Sequence, residues 1–421
     1  MMRKWLTGLL MTVVLAFGVA TPSYAAIVTP TVDAQAAAVV DVQTGQVLAD
    51  KNGDKRIPIA SISKLLTAYL VERSIEAGKL TMDTPISVPA SIVAISTEPG
   101  LANVPLSTER TYTVRELMEM ALIKSANAAA LALGYAVSGT PTGINQEIQD
   151  LLTDWGITDT TIVSGAGLTN GDMGSLKNKN LGDDVENELS ARELAIVGRH
   201  LVEDYPSITE ITSMTSAVVP SGAAGTETIK NSNALLTDGH GYEFKGLKTG
   251  YALSVHSTFI GLTKLDNREV ITVVLGSDHT FTQTAAMLDQ VKAATQVVTL
   301  KKGTQMQRVP VEEAKDGHRR YPLVTNKTVS LFAPKSWDDA KVNMTIRSNH
   351  DMIAPISKGR IVDHNENLFV DGGSKTEVRA ANDFVDGFPQ VNLIMNEDVA
   401  QASQLVQWYR DAKRVIANLF D

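Results

Sequence analysis

Cysteine is absent from all 421 residues. That excludes a disulfide framework and thiolate catalysis, so stability must come from a packed core, which a chain of this length can build. The seven histidines are scattered singly. No His-Glu-x-x-His pair or cysteine cluster suggests a metal, and no cofactor is expected. No Gly-x-Ser-x-Gly elbow supports a Ser-His-Asp hydrolase. A basic excess is missing too: the formal charge of -9 argues against a nucleic-acid partner,. With 30 glycines and 15 prolines the chain is not biased toward disorder, and 43% hydrophobic with 20% charged residues is ordinary for a globular protein,. Beyond the N-terminus no run is long and apolar enough to span a bilayer.

The first residues, "MMRKWLTGLLMTVVLAFGVATPSYAA", combine a basic start (Arg3, Lys4), an apolar run from Leu9 to Val19, and small residues before Ala26. This is the pattern of a secretory signal peptide, residues 1–25, with cleavage after Ala25. The length allows two domains.

"AAAVVDVQTGQVLADKN" reads as two strands around the turn Gln43-Thr44-Gly45-Gln46, and "STFIGLTKL" and "EVITVVLGS" flank Asp266-Asn267 as a hairpin,. Helical spacing marks a stretch from Ser61, then "TVRELMEMALIKSANAAALALGYAV", "SARELAIVGRHLVEDY" and "FTQTAAMLDQVKAATQVV",. Strands at both ends with helices between predict an antiparallel sheet packed on a helical cluster over residues 26–299. Short strand-like runs then follow, "TVSLFAP", "KVNMTIRS" and "NENLFVDGG", a small all-β domain over 300–390,. Residues 391–421 end in "EDVAQASQLVQWYRDAKRVIANLFD", where Val399, Ala402, Leu405, Val406, Tyr409, Ala412, Ile416, Leu419 and Phe420 share one helical face,. Such a helix packs on the protein or lies in a membrane interface.

The chemistry starts in "RIPIASISKLLTAYL". Ser61 and Lys64, three apart on a helix, lie one turn apart on a shared face. A serine hydroxyl needs a base to become a nucleophile, and a lysine desolvated beside an apolar helix loses its proton readily enough to serve. The helix N-terminus adds free backbone N–H groups suited to an oxyanion. Alone, Ser-x-x-Lys is a weak signal that also describes a helix cap followed by a solvated lysine. Two further stretches change its weight: "IKSANAAALAL" with Ser125-Ala126-Asn127, and "FKGLKTGYA" with Lys248-Thr249-Gly250. The order Ser-x-x-Lys, Ser-x-Asn, Lys-Thr-Gly is that of penicillin-binding proteins and class A β-lactamases.

The sequence resembles the low-molecular-weight penicillin-binding proteins, serine-type D-alanyl-D-alanine carboxypeptidases, from about Ala34 to its end. "LSARELAIVGRHL" (Ser190 to Glu193 in its motif), "NSNALL", "IAPISKGRIV" and the basic terminal helix extend the likeness. The resemblance implies an α/β (α+β) transpeptidase/β-lactamase-like domain with antiparallel sheet and helical cluster, the small all-β domain, and an amphipathic helix on the membrane surface. It implies that Ser61 attacks the carbonyl between two D-alanines of a peptidoglycan stem peptide, with Lys64 as general base. Ser125 would relay the proton to the leaving amine with Lys64 or Lys248, and Asn127 would hold the peptide amide and brace Lys64. Lys248 and Thr249 would grip the terminal carboxylate, Gly250 would leave room for the substrate strand, and backbone N–H groups of Ser61 and Tyr251 would form the oxyanion hole. β-Lactams would acylate the same serine, and the protein would act at the outer face of the cytoplasmic membrane or in the wall. Two departures stand out: "YALSVHSTF" has His256 where glycine is typical, and "LGSDHTFTQT" lacks a common arginine. The rival readings are a β-lactamase, disfavoured because "TTIVSGAGLTN" holds no deacylating Glu, and a non-catalytic penicillin- or wall-binding protein of the same fold.

Overall fold

A computed structural model describes residues 27–317, 319–344, 352–363, 368–371, 384–385 and 391–417. The signal-peptide expectation for 1–25 lies outside the described residues, as do parts of the strand-like runs after Met344 and around Leu368.

The first core forms on a five-stranded sheet of β1 (Ala36–Asp41), β2 (Val47–Lys51), β3 (Leu247–Ala252), β4 (His256–Leu265) and β5 (Arg268–Ser277). The order is β2-β1-β5-β4-β3 and every pairing is antiparallel. Asp266 and Asn267 close the β4–β5 hairpin at φ 48° and 65°, the left-handed pair that a two-residue turn requires,. β1 is buried along its whole length, so its sequence is apolar without alternation from Ala36 to Val40, and its last residue, Asp41, is buried against Arg268,. Its side chains point alternately to the two faces of the sheet. Ala36, Ala38 and Val40 meet the main helical cluster, while Ala37 and Val39 join Met287, Leu288 and Val291 on the other face.

The helical cluster contains α1 (Lys64–Glu76), α2 (Val114–Ile123), α3 (Asn127–Ser138), α4 (Ile144–Asp154) and α5 (Ala191–Asp204). α5 begins with a reciprocal cap, in which Ser190 Oγ accepts from the Glu193 N–H and the Glu193 carboxylate accepts from the Ser190 N–H,. α6 (Thr280–Ala294) covers the opposite face of the sheet.

Two helical expectations are corrected here. The run from Val114 is not continuous: the chain leaves the helix after Ile123, passes through Ser125 at φ 64°, and restarts at Asn127. The run from Phe281 stops at Ala294, and the β-branched residues beyond it enter a strand, β6 (Thr295–Leu300),.

β6 already belongs to the second core, which therefore begins before residue 300. It pairs with β9 (Val329–Pro334), and a four-stranded sheet runs through β7 (Gln305–Pro310), β8 (Arg320–Thr325), β13 (Leu393–Met395) and β11 (Ile361–Asp363). β10 (Lys341–Met344) pairs with β12 (Leu368–Asp371). The two units are tied by Gln46, whose amide bonds both backbone groups of Phe332 at 2.8 Å each.

The terminal helix, α7, spans Gln404–Ala417. The expected apolar face counted Val399 and Ala402, but both are buried, and Val399 packs in the β core. Residues 391–403 thus belong to the β unit, because their alternating apolar residues find sheet partners before any helix starts. α7 turns Arg410 inward, its guanidinium donating to Ala314 O (2.7 Å) and Lys315 O (3.1 Å). Its opposite face, with Leu405, Trp408, Tyr409 and Ile416, is exposed.

Candidate active site

Ser61 sits in a short 3₁₀ turn, Ala60–Ser63, that runs directly into α1. In such a turn residues three apart eclipse, which brings Ser61 over Lys64. The turn is fixed from behind. Ile59 N–H donates to Asn187 O (3.0 Å), and Ser63, fully buried, donates to Ala60 O (2.8 Å) and accepts from Asn187 Nδ2 (3.0 Å). Gly167, at φ +73°, lies so near that a Cβ there would collide with the Ala60 carbonyl.

Lys64 is 1% exposed. Its Nζ has three partners: Ser61 Oγ at 2.8 Å, Asn127 Oδ1 at 2.8 Å and Ala166 O at 2.6 Å. Burial, aided by the neighbouring charge of Lys248, holds its pKa well below the usual lysine value,. A neutral amine has two hydrogens and one lone pair. Two acceptor oxygens, Asn127 Oδ1 and Ala166 O, use the hydrogens, and the lone pair is left for the hydroxyl of Ser61.

Ser125 lies in the break between α2 and α3, and its left-handed backbone costs about 1–2 kcal/mol for a non-glycine residue,. That conformation places Ser125 Oγ 3.0 Å from Lys248 Nζ. Asn127 opens α3, and besides holding Lys64 it donates from Nδ2 to Ala102 O (3.1 Å), so it is braced from both ends.

Lys248 is 1% exposed and its Nζ also donates to Thr249 O (2.8 Å). Desolvation lowers its pKa to about 7. Thr249 Oγ1 is 2.6 Å from Ser232 Oγ. Gly250 has no room for a side chain, since a Cβ would fall 2.4 Å from Thr258 Oγ1, 3.0 Å from Ile59 O and 3.2 Å from Ser61 N. Its missing side chain therefore admits the Ser61 turn against β3, while Gly250 also lines the cleft. Tyr251 follows with its side chain exposed.

These residues converge on one cleft of about 1100 Å³, lined by Ser61, Ser125, Asn127, Thr249, Gly250 and Tyr251 among others. Lys64 and Lys248 stand behind its wall. β3 is the edge strand of the sheet and forms one side of the cleft. The two departures meet at its rim: His256 Nδ1 is 2.8 Å from Asp278 Oδ1. His256 has φ 65°, which explains why a glycine is easier to accommodate there,.

Sequence reasoning missed Ala166, Ser232 and Asn187. Ala166 acts through its carbonyl, which no residue type announces. Ser232 lay within the quoted "NSNALL", yet its hydroxyl had no visible partner until the fold brought up Thr249.

A family model described as D-alanyl-D-alanine carboxypeptidase matches residues 23–279. The chain belongs to this family. It is accordingly a serine peptidase with the penicillin-binding-protein fold. Among similar proteins, the D-alanyl-D-alanine carboxypeptidase DacF of Bacillus subtilis (strain 168) is 25% identical over 332 residues, covering 78% of this chain and 79% of its own. The crystal structure of a peptidoglycan synthesis regulatory factor (PBP3) from Streptococcus pneumoniae has a TM-score of 0.72 at 29% identity, covering 88% of this chain and 100% of that one. Penicillin-binding protein D2 from Listeria monocytogenes, in its cefotaxime-bound form, is 26% identical with a TM-score of 0.50, covering 64% of this chain and 99% of that one.

Proposed function

We propose that this carboxypeptidase removes the terminal D-alanine from peptidoglycan stem peptides through an acyl-enzyme on Ser61, and that β-lactams acylate the same serine. The observation that carries the reading is the Lys64 amine, buried, held well below its usual pKa by that burial, and 2.8 Å from Ser61 Oγ. In the first step Lys64 takes the Ser61 proton as Oγ adds to the carbonyl between the two D-alanines. Backbone N–H groups of Ser61 and Tyr251 receive the developing oxyanion. Collapse breaks the C–N bond, and the departing amine takes the proton that Lys64 received, relayed through Ser125, which Lys248 holds at 3.0 Å, so that Lys64 is neutral again. Water then attacks the ester as Lys64 accepts its proton, the bond to Ser61 Oγ breaks, Lys64 returns the proton to that oxygen, and the shortened peptide leaves. Asn127 braces Lys64 and faces the substrate amide, while Thr249 binds the terminal carboxylate in the field of Lys248. Mass analysis of the product from a D-Ala-D-Ala pentapeptide tests this reading, and an intact peptide after prolonged incubation would refute it. An acyl-enzyme that forms but never turns over would instead support the penicillin-sequestering alternative.

Lys248 makes the carboxylate contact pH-dependent. It is charged below about pH 7 and neutral above, because burial lowers its pKa to about 7,. The preference for a peptide acid over its C-terminal amide, measured as kcat/KM, is therefore expected to be greatest on the acid side and to decline as pH rises through that value. Lys248→Ala is expected to flatten this profile and lower the acid's kcat/KM about tenfold or more. An unchanged preference in the variant across the pH range would remove the carboxylate role.

Export by the residue 1–25 signal and peripheral attachment through α7 complete the proposal. Supporting attachment, Trp408 is 72% and Leu405 77% exposed, and Arg410 holds the polar side toward the protein. Lys413 and Arg414 suit anionic lipid heads. No helix among the described residues is long and apolar enough to cross a membrane. The cut for a truncation test is placed after Ser403, since removal from Asp398 would take Val399 out of the β core. Deleting 404–421 is expected to abolish cosedimentation with anionic vesicles while leaving turnover of a soluble peptide and the melting temperature nearly unchanged. A truncated protein that still pellets, or that melts early, would count against the anchor.

A further inference from the structure

We infer that Ser232 is a positioning residue for the recognition of the substrate carboxylate, acting through the hydroxyl of Thr249. The inference rests on the reading of Thr249 as a carboxylate contact. A threonine hydroxyl has one hydrogen and two lone pairs. To donate that hydrogen to a carboxylate, Thr249 must leave it unspent on the protein, and a donor on its oxygen keeps the rotor pointed the right way. Ser232 Oγ lies 2.6 Å from Thr249 Oγ1 and both residues line the cleft. With Ser232 donating to Thr249, the hydrogen of Thr249 is directed into the cleft.

The local chain presents Ser232 for this task. Asn231 on its N-terminal side is pinned by its backbone N–H to Thr215 O (2.8 Å) and its side-chain amide to Met214 O (2.9 Å). Asn233 on the other side is buried, donates its backbone N–H to Asn231 Oδ1 (3.0 Å) and accepts from the Leu235 N–H (3.1 Å). Through these backbone contacts the two asparagines fold the segment into a tight turn. Ser232, between them, is the exposed residue at its tip. A surface hydroxyl with no task would not need anchoring on both sides.

The test compares kcat/KM for a D-Ala-D-Ala peptide and its C-terminal amide in wild type, Ser232→Ala, Ser232→Thr and Thr249→Ala. The preference for the acid is expected to fall about tenfold in Ser232→Ala, the scale of one hydrogen bond to a charged group, and to recover in Ser232→Thr, which keeps the donor. The amide, having no carboxylate, reports whether the cleft is otherwise intact. If Thr249→Ala loses the preference but Ser232→Ala keeps it, the role of Ser232 is overturned while the carboxylate reading stands. Equal loss in Ser232→Ala and Ser232→Thr would tie the effect to side-chain shape and overturn the hydroxyl relay. If Thr249→Ala keeps the preference, the carboxylate reading fails and the inference fails with it.

Discussion

Ser61→Ala is expected to lower D-alanine release by at least about a thousandfold and to abolish covalent labelling by a fluorescent penicillin, because the oxygen that would carry the acyl group is gone. Binding and oxyanion contacts remain in the variant, so weak non-covalent affinity for the β-lactam is expected to survive. Ser63 is the natural control, since it lies two residues away with a hydroxyl that faces inward to Ala60 O and Asn187 Nδ2. Ser63→Ala is expected to label normally and to lose about 1–2 kcal/mol of stability as Asn187 loses a buried acceptor. Full labelling of Ser61→Ala, measured by gel fluorescence and intact mass, would remove Ser61 as the nucleophile.

Lys64→Arg carries the second large effect. Arginine is close to lysine in volume but places a permanent cation near Asn127 Oδ1 and Ala166 O, at some cost in stability, and it cannot give up its proton to become a base. Acylation is expected to slow by about a hundred- to ten-thousandfold, the usual contribution of general base catalysis. Lys64→Ala is expected to be equally slow and also less stable, because it leaves two buried oxygens without a donor and opens a cavity,. Single-turnover acylation kinetics decide the matter. A Lys64→Arg protein that acylates within a few-fold of wild type would show that the role of Lys64 is electrostatic positioning and that another group takes the proton.

Both expectations come from residues whose type and spacing were visible at once. Ser61 and Lys64 are three apart, Ser125 and Asn127 two apart, and Lys248, Thr249 and Gly250 consecutive, so each motif is a local feature of one turn or one strand. The strands that carry or support them were visible for the same reason. An apolar β1 and a β4–β5 hairpin closed at Asp266-Asn267 follow from burial on two faces and from residues that tolerate a left-handed backbone,. Helix ends were harder to place. At Ile123 and Ala294 the apolar spacing simply continues, and only the packing of α3 on its neighbours and the pairing of β6 with β9 show where the helix stops.

By itself the sequence determined the family, the order of the two units and the motif residues proposed to carry the chemistry, because those depend on residue type and short spacing. The tertiary structure decided everything that requires two distant segments to meet. Lys64 is suited to the proposed role of base because burial and the nearby charge of Lys248 lower its pKa, while an acceptor at Ala166, 102 residues onward, fixes the direction of its amine. Ser125 reaches Lys248 across 123 residues through a backbone conformation that no pattern in "IKSAN" announces. Gly250 is small because the Ser61 turn presses against it, and α7 shows its apolar face outward because Arg410 finds two carbonyls of the β unit. A residue's identity is local, whereas its desolvation, the backbone carbonyls around it and the direction it faces belong to whatever the fold packs against it.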